Sequence, residues 1–471
     1  MKVTARTGLF LLLILGLADL VQAQPRTQGA QPLFEQGMPV KEATGVWRSR
    51  GYGWILSLGQ DGVQLYHESR AGCSRDPRTD QFRDQFAYRL PSKGRNQLVA
   101  VTYPGENRYV FDRLARLPNA CAQTDWTPQR LFDHFAASYG EQYAFFPARR
   151  MDWEARVRKH RPLIDSSTSP RVLFAVFSDM LDGLEDAHVG MNAILSGEAT
   201  RFRTGRGRTF QRLYEIAEAK RAPIEEVRGA WVSDYERGIH DTILAGRGKR
   251  SPDGRLVWGH AAPDVGYLHI SAVEGFAPGP LEPNIVALNA LMDRILTDLS
   301  GVKAIIVDLS FNRGGYDRLS REIAGRFAAR RALAYTKKPL GAEDIVDEFF
   351  VEPSAGRRFT GPVYLVTSDY TVSGGEILTM AMRALPNVTH VGMPTRGALS
   401  DRLTKVLPNG WDFSISNEIY LDPNGTSFEG PGVPPERELE VFPLDDLSGG
   451  HAKALAALVK EISRSPAPGS G

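Results

Sequence analysis

One short stretch of the sequence carries the residue types of a nucleophile site. Residues 368–378 read S-D-Y-T-V-S-G-G-E-I-L and directly follow the apolar run P-V-Y-L-V-T. The pattern indicates a buried strand that turns into a helix near Ser373. Ser373 is then either a helix cap or a nucleophile for acyl transfer, with the N–H of Gly374 available to a developing oxyanion. We expect Glu376 to support the helix or the neighbouring backbone.

Two further stretches suit the same chemistry. A-I-I-V-D-L-S-F-N-R-G-G-Y is a predicted strand that runs into Gly314 and Gly315, where the backbone can approach a ligand closely. Their N–H groups are candidates for an oxyanion site, and an ordinary tight turn is the alternative. The segment S-F-E-G-P-G-V-P-P-E contains Glu429, either as a functional carboxylate or as a solvent-facing turn residue.

In their order and spacing, these stretches resemble the C-terminal-processing and tricorn-type serine peptidases, a family that includes interphotoreceptor retinoid-binding protein. The resemblance covers about 264–445 and rests on four motifs, which are D-L-S-F-N-R-G-G (308–315), S-G-G-E (373–376), G-M-P-T-R-G (392–397) and E-G-P-G-V-P-P-E (429–436). It implies an α/β core of the ClpP/crotonase-like (spiral ββα) type. A small helical bundle and an N-terminal antiparallel β-domain are expected before this core.

The resemblance also narrows the choice of general base. The processing branch uses a lysine where this chain has Ala398, and Lys405, the nearest lysine downstream, is a weak substitute. The tricorn-like branch uses a histidine before the core, and L-E-D-A-H-V-G-M offers His188, whose imidazole can exchange protons near neutral pH. By resemblance, Glu429 belongs to the relay that orients the histidine. Ala187 stands where that branch carries a serine, and Asp186 is a second candidate to orient the ring, although neighbours on a helix point apart.

The resemblance therefore implies an exported serine peptidase that cleaves a peptide or protein substrate without a metal or an organic cofactor. The expected catalytic set is Ser373 as nucleophile, His188 as base and then acid, and Glu429 as the stabilising carboxylate. The oxyanion candidates are the N–H groups of Gly374, Gly315 and Gly314. Two alternatives stay open: a catalytically inactive peptide- or lipid-binding protein on the same scaffold, and an esterase that uses the same serine.

Composition and the N-terminus bear on partners and compartment. A formal net charge of +2, with 42% hydrophobic and 24% charged residues, favours no nucleic-acid partner and says nothing about oligomeric state. Residues 1–23 have the pattern of a cleavable signal peptide, so we expect a periplasmic or secreted protein with no membrane span after cleavage. In an oxidising compartment the two cysteines, Cys73 and Cys121, favour a disulfide over free thiols.

Periodicity and turn residues divide the chain into segments. The predicted order is a signal peptide (1–23), a polar linker (24–36), a small β-domain (37–125), a helical domain (126–195), a connecting or lid segment (196–263), the α/β core (264–450), and a C-terminal helix with a disordered tail (451–471). Thr127 and Pro128 are typical of a helix start, as cap and first residue. Residues 317–333 have the periodicity of a helix, and W-D-F-S-I-S-N-E-I-Y-L is predicted as one closing strand.

Overall fold

The N-terminal part of the fold is an antiparallel sheet. The computed structural model describes residues 29–78 and 82–465, so the expected signal segment 1–23 lies outside the described residues. The N-terminal elements are strands Gln31–Pro32 (β1), Phe34–Glu35 (β2), Met38–Pro39 (β3), Gly45–Ser49 (β4), Trp54–Gly59 (β5), Gly62–Ser69 (β6) and Gly72–Arg75 (β7), helix Phe82–Gln85 (α1), and strands Tyr88–Leu90 (β8), Gln97–Val101 (β9) and Tyr109–Leu114 (β10). The large sheet has the order β1-β8-β9-β10-β4-β5-β6-β7, and β2 pairs with β3.

Three helices follow this sheet, and the first of them packs against it while the other two pack on the first. They are Pro128–Gln142 (α2), Trp153–His160 (α3) and Pro170–Leu181 (α4). Thr127 caps α2 by accepting the Arg130 N–H, and Pro128 is its first residue, as the sequence predicts. Aromatic residues of the sheet and of the helices form one continuous apolar cluster, so the expected β-domain and helical domain share a core. The predicted Cys73–Cys121 disulfide is present and closes the sheet onto the segment before α2.

The next segment contributes strands to two sheets. Its elements are strands Gly190–Leu195 (β11) and Glu198–Arg203 (β12), helices Arg208–Lys220 (α5) and Ile224–Arg237 (α6), and strands Lys249–Arg250 (β13) and Leu256–Ala262 (β14). Helix α6 continues as a π-helix over Gly238–Ile243. Strand β14 pairs with the first core strand, so the core sheet begins before the expected boundary at residue 264.

The core is a mixed sheet flanked by helices. Its elements are Val265–Ile270 (β15), Leu281–Asp298 (α7), Ala304–Asp308 (β16), Asp317–Gly325 (α8), Ala332–Pro339 (β17), Asp347–Val351 (β18), Val363–Thr367 (β19), Gly374–Arg383 (α9), Val388–Gly392 (β20), Arg402–Val406 (β21), Asp412–Ser416 (β22), Glu418–Leu421 (β23), Arg437–Glu438 (β24) and Gly450–Arg464 (α10). The main sheet has the order β13-β14-β15-β16-β19-β20-β24 and is parallel from β15 to β24. Since parallel strands end at the same edge, the loops after β16 and β19 meet there.

Two predicted elements differ from the structure. The expected closing strand is broken at Asn417 into β22, which joins β11, β12 and β21, and β23, which joins β17 and β18. The Asn417 amide donates to the carbonyls of Gly51 and Gln142, and this turns the chain between the two sheets. The helix expected over 317–333 ends at Gly325, where an added Cβ would lie 2.5 Å from the Glu352 carbonyl oxygen.

No helix in the described ranges is long and apolar enough to cross a membrane. The same ranges contain no group of three or more His, Cys, Asp or Glu side chains that could hold a metal ion.

Candidate active site

Ser373 lies in a strained turn between β19 and α9. Its backbone has φ +58° and ψ −127°, a conformation that residues with a Cβ rarely adopt. Such strain costs roughly 1–3 kcal/mol and persists only where the surroundings enforce it. The same strand-turn-helix geometry raises the nucleophile of serine hydrolases above its sheet. Ser373 is partly exposed, while Gly374 and Gly375 behind it are buried.

The buried carboxylate of Glu376 enforces this turn. It accepts the Ser373 N–H at 3.1 Å, and it also accepts the N–H groups of Gly397 at 2.7 Å and Ala398 at 2.9 Å. The Thr395 hydroxyl donates to the same group at 2.7 Å. Burial raises the pKa of Glu376, and these donors oppose that effect. Glu376 thus supports the helix start and the neighbouring backbone, as the sequence predicts.

Gly314 and Gly315 pack directly against the serine turn. A Cβ added to Gly314, at φ +87°, would lie 2.7 Å from the Ser373 Cβ. A Cβ added to Gly374 would lie 2.8 Å from the Gly315 nitrogen. The Gly315 bridge to Val273 uses the neighbouring peptide groups and leaves the Gly315 N–H unused. Within the described residues, neither Gly315 nor Gly374 donates a backbone hydrogen bond, so two free N–H groups adjoin Ser373.

His188 lies in the loop between α4 and β11 rather than on a helix. Helix α4 ends at Leu181, and Asp186 accepts the His188 backbone N–H at 2.9 Å in a side-chain-closed turn. The other Asp186 oxygen accepts the Tyr143 hydroxyl at 2.9 Å. The Ser414 hydroxyl donates to the His188 carbonyl at 2.5 Å. Asp186 therefore fixes the main chain at His188, not its ring.

The imidazole of His188 is buried beside the loop that backs Ser373. Burial lowers its pKa from the ordinary value, while Asp186, Asp401 and the Ser400 backbone oppose the shift. Its Nδ1 is buried and has no hydrogen-bond partner in the described parts of the chain. No hydrogen bond joins the ring to Ser373 or Glu429, which are both described. The structure therefore brings the His188 ring beside the loop 395–400, which backs Ser373, and leaves its Nδ1 without a partner among the described residues.

Glu429 also contacts the loop 395–400, which backs Ser373. One of its carboxylate oxygens accepts the N–H groups of Leu399 at 2.8 Å and Ser400 at 3.0 Å. Burial and the nearby Asp186 raise the pKa of Glu429 to about 8, against the attraction of Arg149. The connection from Glu429 to His188 runs through the Ser400 peptide group rather than through a direct contact.

Arg149 is the residue that the sequence did not reveal. Its buried guanidinium donates to the Glu185 carbonyl at 2.6 Å, the Gly397 carbonyl at 2.6 Å and the Glu429 carboxylate at 3.0 Å. One side chain thus ties the His188 loop, the loop behind Ser373 and the Glu429 turn together. Its partners are 36, 248 and 280 residues away, so no local pattern points to it.

Ala398 occupies the position where the processing branch has its lysine. Ala398 is buried, and its carbonyl accepts the Ser373 N–H at 3.2 Å, so it is adjacent to the serine. The Lys405 ammonium points elsewhere and donates to the Tyr52 carbonyl at 2.5 Å and the Gly53 carbonyl at 2.9 Å. This contact with the N-terminal sheet occupies Lys405 and removes it as a candidate base.

Comparison with protein families finds a match for the α/β core. Residues 264–439 match the model described as Peptidase family S41. The sequence of this segment is therefore similar to peptidase family S41. Tricorn protease homolog 1 of Streptomyces coelicolor is 25% identical over 252 residues, which cover 50% of this chain and 19% of that protein. The tricorn protease of Thermoplasma volcanium is 26% identical over 218 residues, covering 45% and 17%. The matches thus span less than a fifth of these relatives.

Solved structures extend the likeness in fold beyond the core. A putative peptidase from Parabacteroides merdae superposes with a TM-score of 0.55 at 24% identity, over 73% of this chain and 100% of that chain. Mature CPAF complexed with lactacystin gives a TM-score of 0.50 at 12% identity, over 72% and 98%. At these identities the likeness concerns the fold alone.

Replacing Arg149 tests whether its side chain holds these three segments together. Arg149→Gln leaves the ionised Glu429 carboxylate buried without its cation at about pH 9, above the Glu429 pKa of about 8, so we expect a loss of roughly 3 kcal/mol in the free energy of unfolding at that pH. Urea denaturation measures the loss, with Arg150→Gln as the control, because Arg150 is exposed. The double variant Arg149→Gln/Glu429→Gln should recover part of the loss. Equal stability of Arg149→Gln and the control would contradict this role.

Proposed function

We propose that the protein is an exported serine peptidase of the tricorn-like type, with Ser373 as its nucleophile. The observation that carries the proposal is the strained Ser373 turn, set at the start of α9 against two unused backbone N–H groups. Ser373 Oγ attacks the scissile carbonyl, and the N–H groups of Gly315 and Gly374 hold the oxyanion, with Gly314 allowing the close approach. The match of residues 264–439 to the model of a peptidase family supports hydrolysis of peptide bonds.

His188 is the proposed general base and acid. Burial lowers the pKa of its ring, which favours the neutral form, and its Nδ1 has no hydrogen-bond partner among the described residues. The bond to Ser373 Oγ forms when substrate binds, as is common for catalytic hydrogen bonds that are absent in an empty site. Glu429 contributes by holding the Leu399–Ser400 backbone next to the histidine. In this scheme Asp186 fixes the His188 main chain.

The finer fold type and the compartment belong to the same proposal. The parallel strands β15, β16, β19 and β20 suit a spiral ββα core of the ClpP/crotonase-like type, since a helix directly precedes β16 and β20, and helix α8 with strands β17 and β18 precedes β19. The Cys73–Cys121 disulfide suits an oxidising compartment, in line with the signal-like residues 1–23. We therefore favour a periplasmic or secreted enzyme.

A fluorophosphonate probe tests the nucleophile. We expect stoichiometric labelling of the wild type, loss of labelling in Ser373→Ala, and retention in the control Ser448→Ala, since Ser448 is exposed and outside the site. His188→Ala should slow labelling and peptide hydrolysis by at least about a thousandfold. Absence of labelling in the wild type would favour a binding protein, and turnover of small esters without peptides would favour an esterase.

The pH profile of peptide hydrolysis reports the pKa of the general base. Because only neutral imidazole accepts the Ser373 proton, kcat/KM should fall as pH drops through the His188 pKa. Burial lowers this pKa, so the acid limb should lie below about pH 6.5, the ordinary value. His260→Gln should leave the limb unchanged, since His260 is exposed and its ring contacts the Asp298 carbonyl. An acid limb at pH 7 or above would contradict the assignment of His188.

A further inference from the structure

A large cavity adjoins the proposed active site without containing Ser373. Its volume is about 660 Å³, and it lies among α6 with its π-helical extension, the β13–β14 hairpin, and the loops after β15, β16 and β19. This volume is in the range of sites that bind small ligands or short peptide segments. A π-helical turn is itself frequent at functional sites.

The cavity wall begins close to the nucleophile. Arg313, on its lining, directly precedes Gly314, whose added Cβ would lie 2.7 Å from the Ser373 Cβ. Tyr370, also on the lining, is three residues before Ser373, so their Cα atoms are at most about 11 Å apart. A peptide held at Ser373 therefore reaches this cavity with residues a few positions from the scissile bond.

The lining is rich in cations. Arg228, Lys249, Arg250, Arg255 and Arg313 contribute positive charge to it. The lining carboxylates are Glu225, Glu236 and Asp253. Positive side chains therefore outnumber negative ones around the cavity, which favours an anionic occupant.

Arg313 is the uncompensated cation. Its side chain is exposed and has no hydrogen bond or ion pair with any described residue. The other cations are each paired: Arg228 with Glu225 at 2.6 Å, Lys249 with Asp298 at 2.8 Å, Arg250 with Glu236 at 3.5 Å, and Arg255 with Asp253 at 3.5 Å. The two 3.5 Å pairs are long, so a ligand carboxylate can share those guanidinium groups.

An aromatic surface lies beside these charges. Phe311 and Tyr370 stack with ring centroids 4.8 Å apart and an interplanar angle of 13°. Both line the cavity, as do the polar groups of His269 and Ser271. A rigid aromatic wall next to an unpaired guanidinium suits the aliphatic part and the carboxylate of an acidic side chain.

We propose that this cavity binds acidic residues of the peptide substrate and makes the enzyme prefer substrates with Glu or Asp near the scissile bond. The inference rests on the proposed peptidase function and names its substrate class. Arg313 is the main contact for the substrate carboxylate, and Arg250 and Arg255 extend the positive wall away from the nucleophile.

Direct binding to Ser373→Ala protein tests the preference without requiring turnover. Two labelled peptides of identical length, one with Glu and one with Gln at the positions flanking a central bond, are titrated by fluorescence anisotropy at low salt. We expect the Glu peptide to bind about tenfold more tightly, as for a charge-assisted contact. The preference should weaken at high salt because the cations are partly exposed.

Added substitutions in the Ser373→Ala background identify the contact. Arg313→Gln should abolish the preference and Arg255→Gln should reduce it, while Arg212→Gln, an exposed arginine outside the cavity, should leave it intact. Equal affinity for the two peptides, no binding of the Glu peptide up to about 1 mM, or a preference that survives Arg313→Gln would overturn the proposal. Cleavage of neutral peptides by the wild type with no acidic preference would leave the peptidase function standing and reject only this use of the cavity.

Discussion

The hydrogen bonds that converge on Glu376 hold the Ser373 turn against the loop after β20. Glu376 lies in the first turn of α9, and its carboxylate accepts N–H groups from Ser373 just before the helix and from Gly397 and Ala398 in the loop after β20. A carboxylate buried this deeply is stable only when its lone pairs are satisfied. The requirement for those donors therefore fixes the strained serine turn and the loop behind it as one unit.

A second buried group, the Arg149 guanidinium, extends this unit to the histidine. It joins the loop before His188, the Gly397 carbonyl and the Glu429 carboxylate. Glu429 in turn holds the Leu399–Ser400 backbone beside the imidazole. The loop 395–400 is thus held at one end by Glu376 and at the other by Glu429. Under the proposed mechanism, the main chains on both sides are fixed and only the His188 ring must move.

The sequence predicted those features that depend on local pattern. The strand before Ser373, the helix after it and the supporting role of Glu376 follow from residues within one turn of each other. The parallel core strands were visible as apolar runs, and the two cysteines form the expected disulfide. Ala398 stands where the processing branch has its lysine. Its carbonyl accepts the Ser373 N–H, so this position adjoins the serine.

Features that depend on distant contacts were not predictable in this way. Arg149 acts through partners hundreds of residues away, and Asn417 breaks an apparently continuous strand by donating to the Gly51 and Gln142 carbonyls. The expectation that Asp186 and His188 point apart assumes a helix, whereas the chain there forms a turn and Asp186 contacts the His188 main chain. Side-chain roles of this kind become visible only once the loops have been brought together.

The central claim is that Ser373 reacts because glycine backbone lies against it, and a matched pair of glycine substitutions tests this most directly. Gly314 and Gly410 have almost the same backbone angle, φ +87° and +84°, so alanine costs about 1–2 kcal/mol of backbone strain at either position. An added Cβ meets the Ser373 Cβ at 2.7 Å in the first case and nothing within 4 Å in the second. The rate of fluorophosphonate labelling should therefore fall by at least about a hundredfold in Gly314→Ala, the scale of a disturbed oxyanion site, and stay near wild type in Gly410→Ala. Equal labelling rates in the two folded variants would contradict the account.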